Sequence, residues 1–177
     1  MKKIKIVFLL CIGLVSTVCA QDKGFSKGDK LLNLGVGLNS YYNGGIPLSV
    51  SFESGITDQI SVGSSIDYLS NKYNVGGALS YKFTALYFGV RASYHVNELL
   101  NIDEENIDLY GGVTVGYRSF SWKDKYSNGS LSGNYGSGIF FGGYIGGKYF
   151  FTQRFGAFAE LGAVGSTNGR IGLAARF

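Results

Sequence analysis

The last nine residues, Gly169-Arg170-Ile171-Gly172-Leu173-Ala174-Ala175-Arg176-Phe177, admit few folds. In an extended strand, successive side chains point to opposite faces. Ile171, Leu173, Ala175 and Phe177 then share one face, and Arg170, Gly172, Ala174 and Arg176 the other. At the surface of a soluble protein such a strand would be costly, because its apolar face and terminal aromatic would stay in water. The same strand becomes favourable when its apolar face meets lipid and its charged face meets a polar lumen, as in a transmembrane β-barrel.

The other end of the chain predicts export. Lys2, Lys3 and Lys5 form a basic start, Ile6 to Val18 is a short apolar run, and Val18-Cys19-Ala20 offers small residues ahead of Gln21. This is the pattern of a cleaved signal peptide over residues 1–20, with a mature domain over 21–177. An uncleaved anchor is the alternative, but these 13 residues fall short of the ~20 that cross a bilayer as a helix. Valine at position 18, where a lipobox wants Gly or Ala, argues against a lipid-modified Cys19.

Cleavage would remove both cysteines, Cys11 and Cys19, and with them any disulfide or Cys-ligated metal site. It would also remove three of the 16 basic residues, leaving 13 against 12 acidic. The basic balance therefore belongs to the export signal and gives no reason to expect nucleic-acid binding. The mature part suits one domain. Its many Gly, Tyr and Phe residues and single Pro disfavour both a helical protein and a flexible linker.

Alternating segments separated by turn residues predict eight strands. The first is Leu31–Asn39, with Leu32, Leu34, Val36 and Leu38 on one side; the second runs from Pro47 to Gly55; the third starts at Ile60 and reaches about Tyr68. Residues 70–82 read either as a loop or as a strand extension. The fourth strand covers Leu86–His95, and Asn97–Asn106 could hold one helical turn in a charged connection. The fifth covers Leu109–Tyr117, followed by a long polar loop over Ser119–Gly136. The sixth is Ile139–Phe150, the seventh Ala157–Ala163, and Gly165–Gly169 turns into the terminal strand. The even count fits a closed, antiparallel, up-and-down barrel.

Periodicity alone does not say which face is outside. The charges do. Glu53, Asp67, Arg91, Lys148, Glu160, Arg170 and Arg176 all fall opposite the Leu/Ile/Val/Phe positions. A lipid-facing Arg or Lys at the midplane costs about 2–4 kcal/mol, so this exclusion favours a bilayer over a soluble, lipocalin-like barrel. Phe25, Tyr94, Tyr149, Phe150, Phe151, Phe155 and Phe177 near one set of strand ends, with Tyr68, Tyr117 and Phe120 near the other, read as two aromatic girdles.

On these features the chain resembles the small eight-stranded bacterial outer-membrane barrels, the OmpA/OmpX-like, porin-related class, in single-domain form. The resemblance rests on the terminal alternation ending in Phe177, the Tyr94-His95-Val96-Asn97-Glu98-Leu99-Leu100 strand end and the Gly-rich alternating strands. It implies integral residence in the outer membrane, contact with outer-membrane lipid and lipopolysaccharide, and delivery by periplasmic chaperones to barrel-assembly machinery. Ile171, Leu173, Ala175 and Phe177 would then be the C-terminal insertion signal. With Phe177 as the last residue, no peptidoglycan-binding domain is expected.

For function, the seven lumen-facing charges predict a paired network that plugs an interior just wide enough for side chains. A narrow ion path lined by the same groups is the rival, which would make the protein a small-solute or ion channel. An outer-leaflet lipid-modifying enzyme is a third reading. The sole histidine, His95, lies near the wrong strand ends for that work, and no Ser–His–acid arrangement is evident, so no catalytic residue is expected. Asp103-Glu104-Glu105 with Asp108 reads as a solvated loop and lacks the ligand spacing of a Ca²⁺ loop. No cofactor or metal is expected. Trp122, Lys123, Lys125 and Tyr126 in the long loop are candidates for contact with a surface ligand of unknown identity, or for the outer girdle and lipopolysaccharide phosphates. The expectation is a non-enzymatic barrel with an envelope-structural or adhesion-type role.

Overall fold

The computed structural model describes residues 24–74, 80–124 and 136–177. The signal segment expected over residues 1–20 lies outside this range, as do Lys125 and Tyr126. Eight strands follow in chain order: β1 (Lys30–Gly37), β2 (Leu48–Gly55), β3 (Ile60–Asn74), β4 (Ser80–His95), β5 (Ile107–Asp124), β6 (Gly138–Phe150), β7 (Phe155–Val164) and β8 (Thr167–Arg176). Each pairs antiparallel with the next, and β1 closes on β8 from Leu31↔Arg176 to Gly37↔Arg170. Closure matters in lipid, where an unpaired backbone edge finds no water.

The alternation read from the sequence sorts the side chains in space. Leu34, Val50, Ile66, Phe88, Val90, Val115, Phe141, Ile145 and Leu173 form an exposed apolar belt around the outside. Between them the alternate residues turn inward, and Asn33, Ser51, Glu53, Ser65, Asp67, Arg91, Thr114, Lys148, Glu160 and Arg170 are buried. The polarity is that of a soluble protein turned inside out. It needs an apolar solvent.

At the rims the structure takes the strand-extension alternative for the residues after Tyr68 and differs from the expectations in three further ways. Residues 70–74 and 80–82 extend strands, with the ladder running out to Asn74↔Ser80. Ser119–Asp124 continue β5 rather than opening the loop, and Trp122 pairs across to Phe83. Asp108 leaves the solvated acidic run and enters the lumen fully buried, whereas Asp103, Glu104 and Glu105 stay exposed. Phe25, Phe150 and Phe120 turn inward, so the girdles comprise Tyr94, Tyr149, Phe151, Phe155 and Phe177 at one rim and Tyr68 and Tyr117 at the other.

The connections alternate as expected. Links after β2, β4 and β6 share an end with Gly24 and Phe177, the periplasmic end of such a barrel. The link after β4 carries the single turn anticipated there, closed by Leu100 N donating to Val96 O at 2.9 Å. At the opposite end, β7 and β8 meet through Gly165-Ser166. Gly165 has φ +67° and would set a Cβ 2.5 Å from the Asp67 carboxyl, so both the turn and the lumen charge require glycine there.

Candidate functional site

The lumen holds the polar chemistry of the molecule, arranged in levels along the barrel axis. Five strands meet at mid-height. Glu53, Asp67, Arg91, Glu160 and Arg170 are each at most 2% exposed. Arg91 Nη2 donates to Glu160 Oε1 at 2.7 Å, and its Nε lies 3.1 Å from Glu53 Oε1 as a charge contact rather than an aligned hydrogen bond. Arg170 grips the other oxygen of Glu160 with Nη2 at 2.6 Å and Nε at 2.7 Å, and reaches Asp67 Oδ1 at 3.5 Å. Tyr110 adds a hydroxyl donor to Glu160 Oε1 at 2.8 Å, while the Arg91 guanidinium stacks 4.3 Å above the Tyr144 ring. Glu160 is thus shared between two arginines. Buried charges are tolerated only when so compensated.

Toward the periplasmic end the network continues through serines. Ser61 and Ser93 both donate to Glu53 Oε2. Ser61 Oγ is also 3.0 Å from His95 Nε2, and His95 Nδ1 is 2.6 Å from Asp108 Oδ1. Lys148 Nζ donates to Asp108 Oδ2 at 3.0 Å and sits 3.5 Å over the Tyr110 ring. Asp108 is thus held between His95 and Lys148, and His95 between Asp108 and Ser61.

Ser61, His95 and Asp108 therefore stand in the order of a hydrolase triad, contrary to the expectation of no such arrangement. The surroundings do not suit acyl transfer. Ser61 is fully buried, its hydrogen points to Glu53 rather than His95, and a carboxylate occupies the neighbourhood where an oxyanion needs N–H donors. The chain of bonds braces β3, β4 and β5 against one another.

Both mouths are filled. At the periplasmic end Phe25 stacks on His95 with ring centroids 3.4 Å apart and packs with Leu31, Phe150 and Phe158. Arg176 holds this segment by donating to Gly24 O at 2.8 Å and to Gln153 O at 3.3 Å, its guanidinium 4.3 Å over Phe150. At the outer end Tyr42, Leu69, Phe83, Tyr87 and Phe140 form an apolar cluster inside the barrel, flanked by Tyr73, Phe120 and Trp122. The Tyr42 and Tyr87 hydroxyls hydrogen-bond to each other, and Tyr73 donates to Tyr42 O.

No family profile and no curated protein sequence matches the chain. Solved structures do. Ail, the attachment invasion locus protein of Yersinia pestis, superposes with TM-score 0.52 at 11% identity over 85% of this chain and 99% of its own. Its complex with the heparin analogue sucrose octasulfate gives 0.53 at 12%, again over 85% and 99%. OprG from Pseudomonas aeruginosa gives 0.51 at 14%, over 88% and 99%. The chain folds as a bacterial outer-membrane β-barrel.

Within this barrel the sequence-derived candidates fall into three groups. Glu53, Asp67, Arg91, Glu160 and Arg170 come together as one cluster, whereas Lys148 joins Asp108 and His95 instead, and Arg176 serves the N-terminal segment. Trp122 lies on β5, half-buried, with its ring 4.7 Å from Phe83, rather than in an exposed loop. Lys123 is the next residue of the same strand. Ile171 and Leu173 face outward on β8, Phe177 is exposed just past its end, and Ala175 is half-buried beside them. Sequence reasoning missed Asp108, Arg118 and the inward aromatics, although strand parity could have found them. Asp108 is two residues before Tyr110, and Phe150 two after Lys148.

Proposed function

We propose that this protein is a closed, non-enzymatic barrel whose lumen does not conduct and whose work is done at the outer rim, in envelope structure or surface attachment. The observation that carries the proposal is the sharing of Glu160 between Arg91 and Arg170, with Phe25 below and the Tyr42–Phe83–Tyr87 cluster above. A conducting path would have to displace an interlocked ion cluster and two apolar fillings. The outer rim meets lipid and lipopolysaccharide. The fold shared with Ail, a protein crystallised with a heparin analogue, makes a sulfated glycan the first surface ligand to try. Delivery by periplasmic chaperones and insertion by barrel-assembly machinery through the Ile171–Phe177 strand belong to the same proposal.

The test is planar-bilayer recording on purified, refolded full-length mature protein, with heat-modifiable gel migration as the folding control. Folded protein that remains silent supports the closed lumen. Steady, stepwise openings sensitive to Glu160→Ala or Arg91→Ala overturn it and make the protein a channel.

A further inference from the structure

The barrel wall is not equally tall all round. The β5–β6 ladder runs out to Arg118↔Gly138, but β6–β7 pairing stops at Tyr144↔Gly162, because β7 ends at Val164 and turns into β8. The Ala163 carbonyl still lies against Gly142, and from Phe141 out to Gly138 β6 is paired on its β5 side only. An open strand edge at the margin of the apolar belt is costly in hydrocarbon unless it lines a cavity. It does line one. A cleft of about 310 Å³ lies here between Phe140, Phe141, Ala163, Tyr42, Tyr87 and Arg118. Phe141 and Ala163 face outward and Phe140 faces the lumen, so the cleft borders both faces of the wall at the outer rim.

Its inner end carries a cation without a carboxylate. Arg91 and Arg170 are paired to acids and Arg176 to carbonyls, yet Arg118 has no salt bridge among the described residues. Its buried Nε lacks a hydrogen-bond partner, and its recorded contact is the Phe120 ring at 5.7 Å. A partly buried guanidinium calls for an anion. The linked hydroxyls of Tyr42 and Tyr87 make the corner polar, while Phe140, Phe141 and Ala163 keep the passage apolar.

We propose that this cleft binds a long-chain fatty carboxylate from the outer leaflet, its head on Arg118 and its chain leaving between β6 and the β7–β8 hairpin. One guanidinium balances one negative charge, and the volume of about 310 Å³ stands at the lower end of the roughly 300–1,000 Å³ typical of single small-ligand sites. This reading is independent of whether the lumen conducts.

The chain has a single tryptophan, Trp122, in the neighbouring aromatic cluster, which supplies an internal probe. Full-length mature barrel in phospholipid nanodiscs is titrated with dibromostearic acid, and quenching of Trp122 is followed. Dibromostearyl alcohol and a brominated lysophosphatidic acid serve as neutral and phosphate arms. Saturable quenching by the acid is expected, weakened about tenfold or more in Arg118→Gln, because a charge-assisted hydrogen bond is lost. Arg118→Lys should retain part of the binding. Ala163→Phe, which narrows the mouth without touching the charge, should weaken binding while the barrel keeps its heat-modifiable migration. Non-saturable quenching, equal quenching by the alcohol, or unchanged binding in Arg118→Gln overturns the site. Tighter binding of the phosphate arm overturns the carboxylate assignment.

Discussion

Glu160 is the residue on which the lumen turns. Its two oxygens receive three nitrogens from Arg91 and Arg170 and the Tyr110 hydroxyl, all out of reach of water. Glu160→Ala should therefore destabilise the barrel by about 3–5 kcal/mol, the range for leaving a buried partner uncompensated. Urea unfolding in lipid vesicles reads this directly. Ser61→Ala removes one donor to Glu53 and leaves the buried His95 Nε2 without a partner, and should cost about 1–3 kcal/mol. Neither Ser61→Ala nor His95→Ala should alter any lipid turnover, measured on phospholipid and lipopolysaccharide. Loss of a measurable turnover in both would make the Ser61–His95–Asp108 order a working triad.

At the scale of the strand, the lipid-facing side is the intolerant one. Val115→Arg at mid-belt on β5 should cost about 2–4 kcal/mol, and Leu38→Arg, just past the end of β1, about 0–1 kcal/mol; refolding equilibria of the two variants give the contrast. The same intolerance explains why the strand interiors could be read from the sequence. Val113, Val115 and Tyr117 cannot be exchanged for polar residues, so their alternation with Thr114 and Gly116 survives. Beyond the hydrocarbon that pressure vanishes. Ser70–Asn74 and Ser119–Asp124 are polar enough to pass for loops, yet the ladder between neighbours carries them on as strand. Asp108 was hidden by the acidic residues before it, although parity with Tyr110 aims it inward. The contacts among Ser61, His95 and Asp108 were not legible because they depend on register across three strands. Phe25 precedes β1 altogether, and no periodicity says that it folds back into the mouth.

For the whole molecule, closure is achieved at separate heights by different means: ring stacking at the periplasmic mouth, ion pairing at mid-height and aromatic packing at the outer mouth. Phe25→Ala alone should stay silent in planar bilayers, because the other two fillings remain. Conductance should rise only when Phe25→Ala is combined with a change at mid-height and with Phe83→Ala. Barriers stacked in series mask one another. A genetic selection for leaky envelopes would thus rarely recover this gene by a single step. Its phenotype would surface as synthetic interactions between distant codons, each allele appearing harmless when crossed into the wild type.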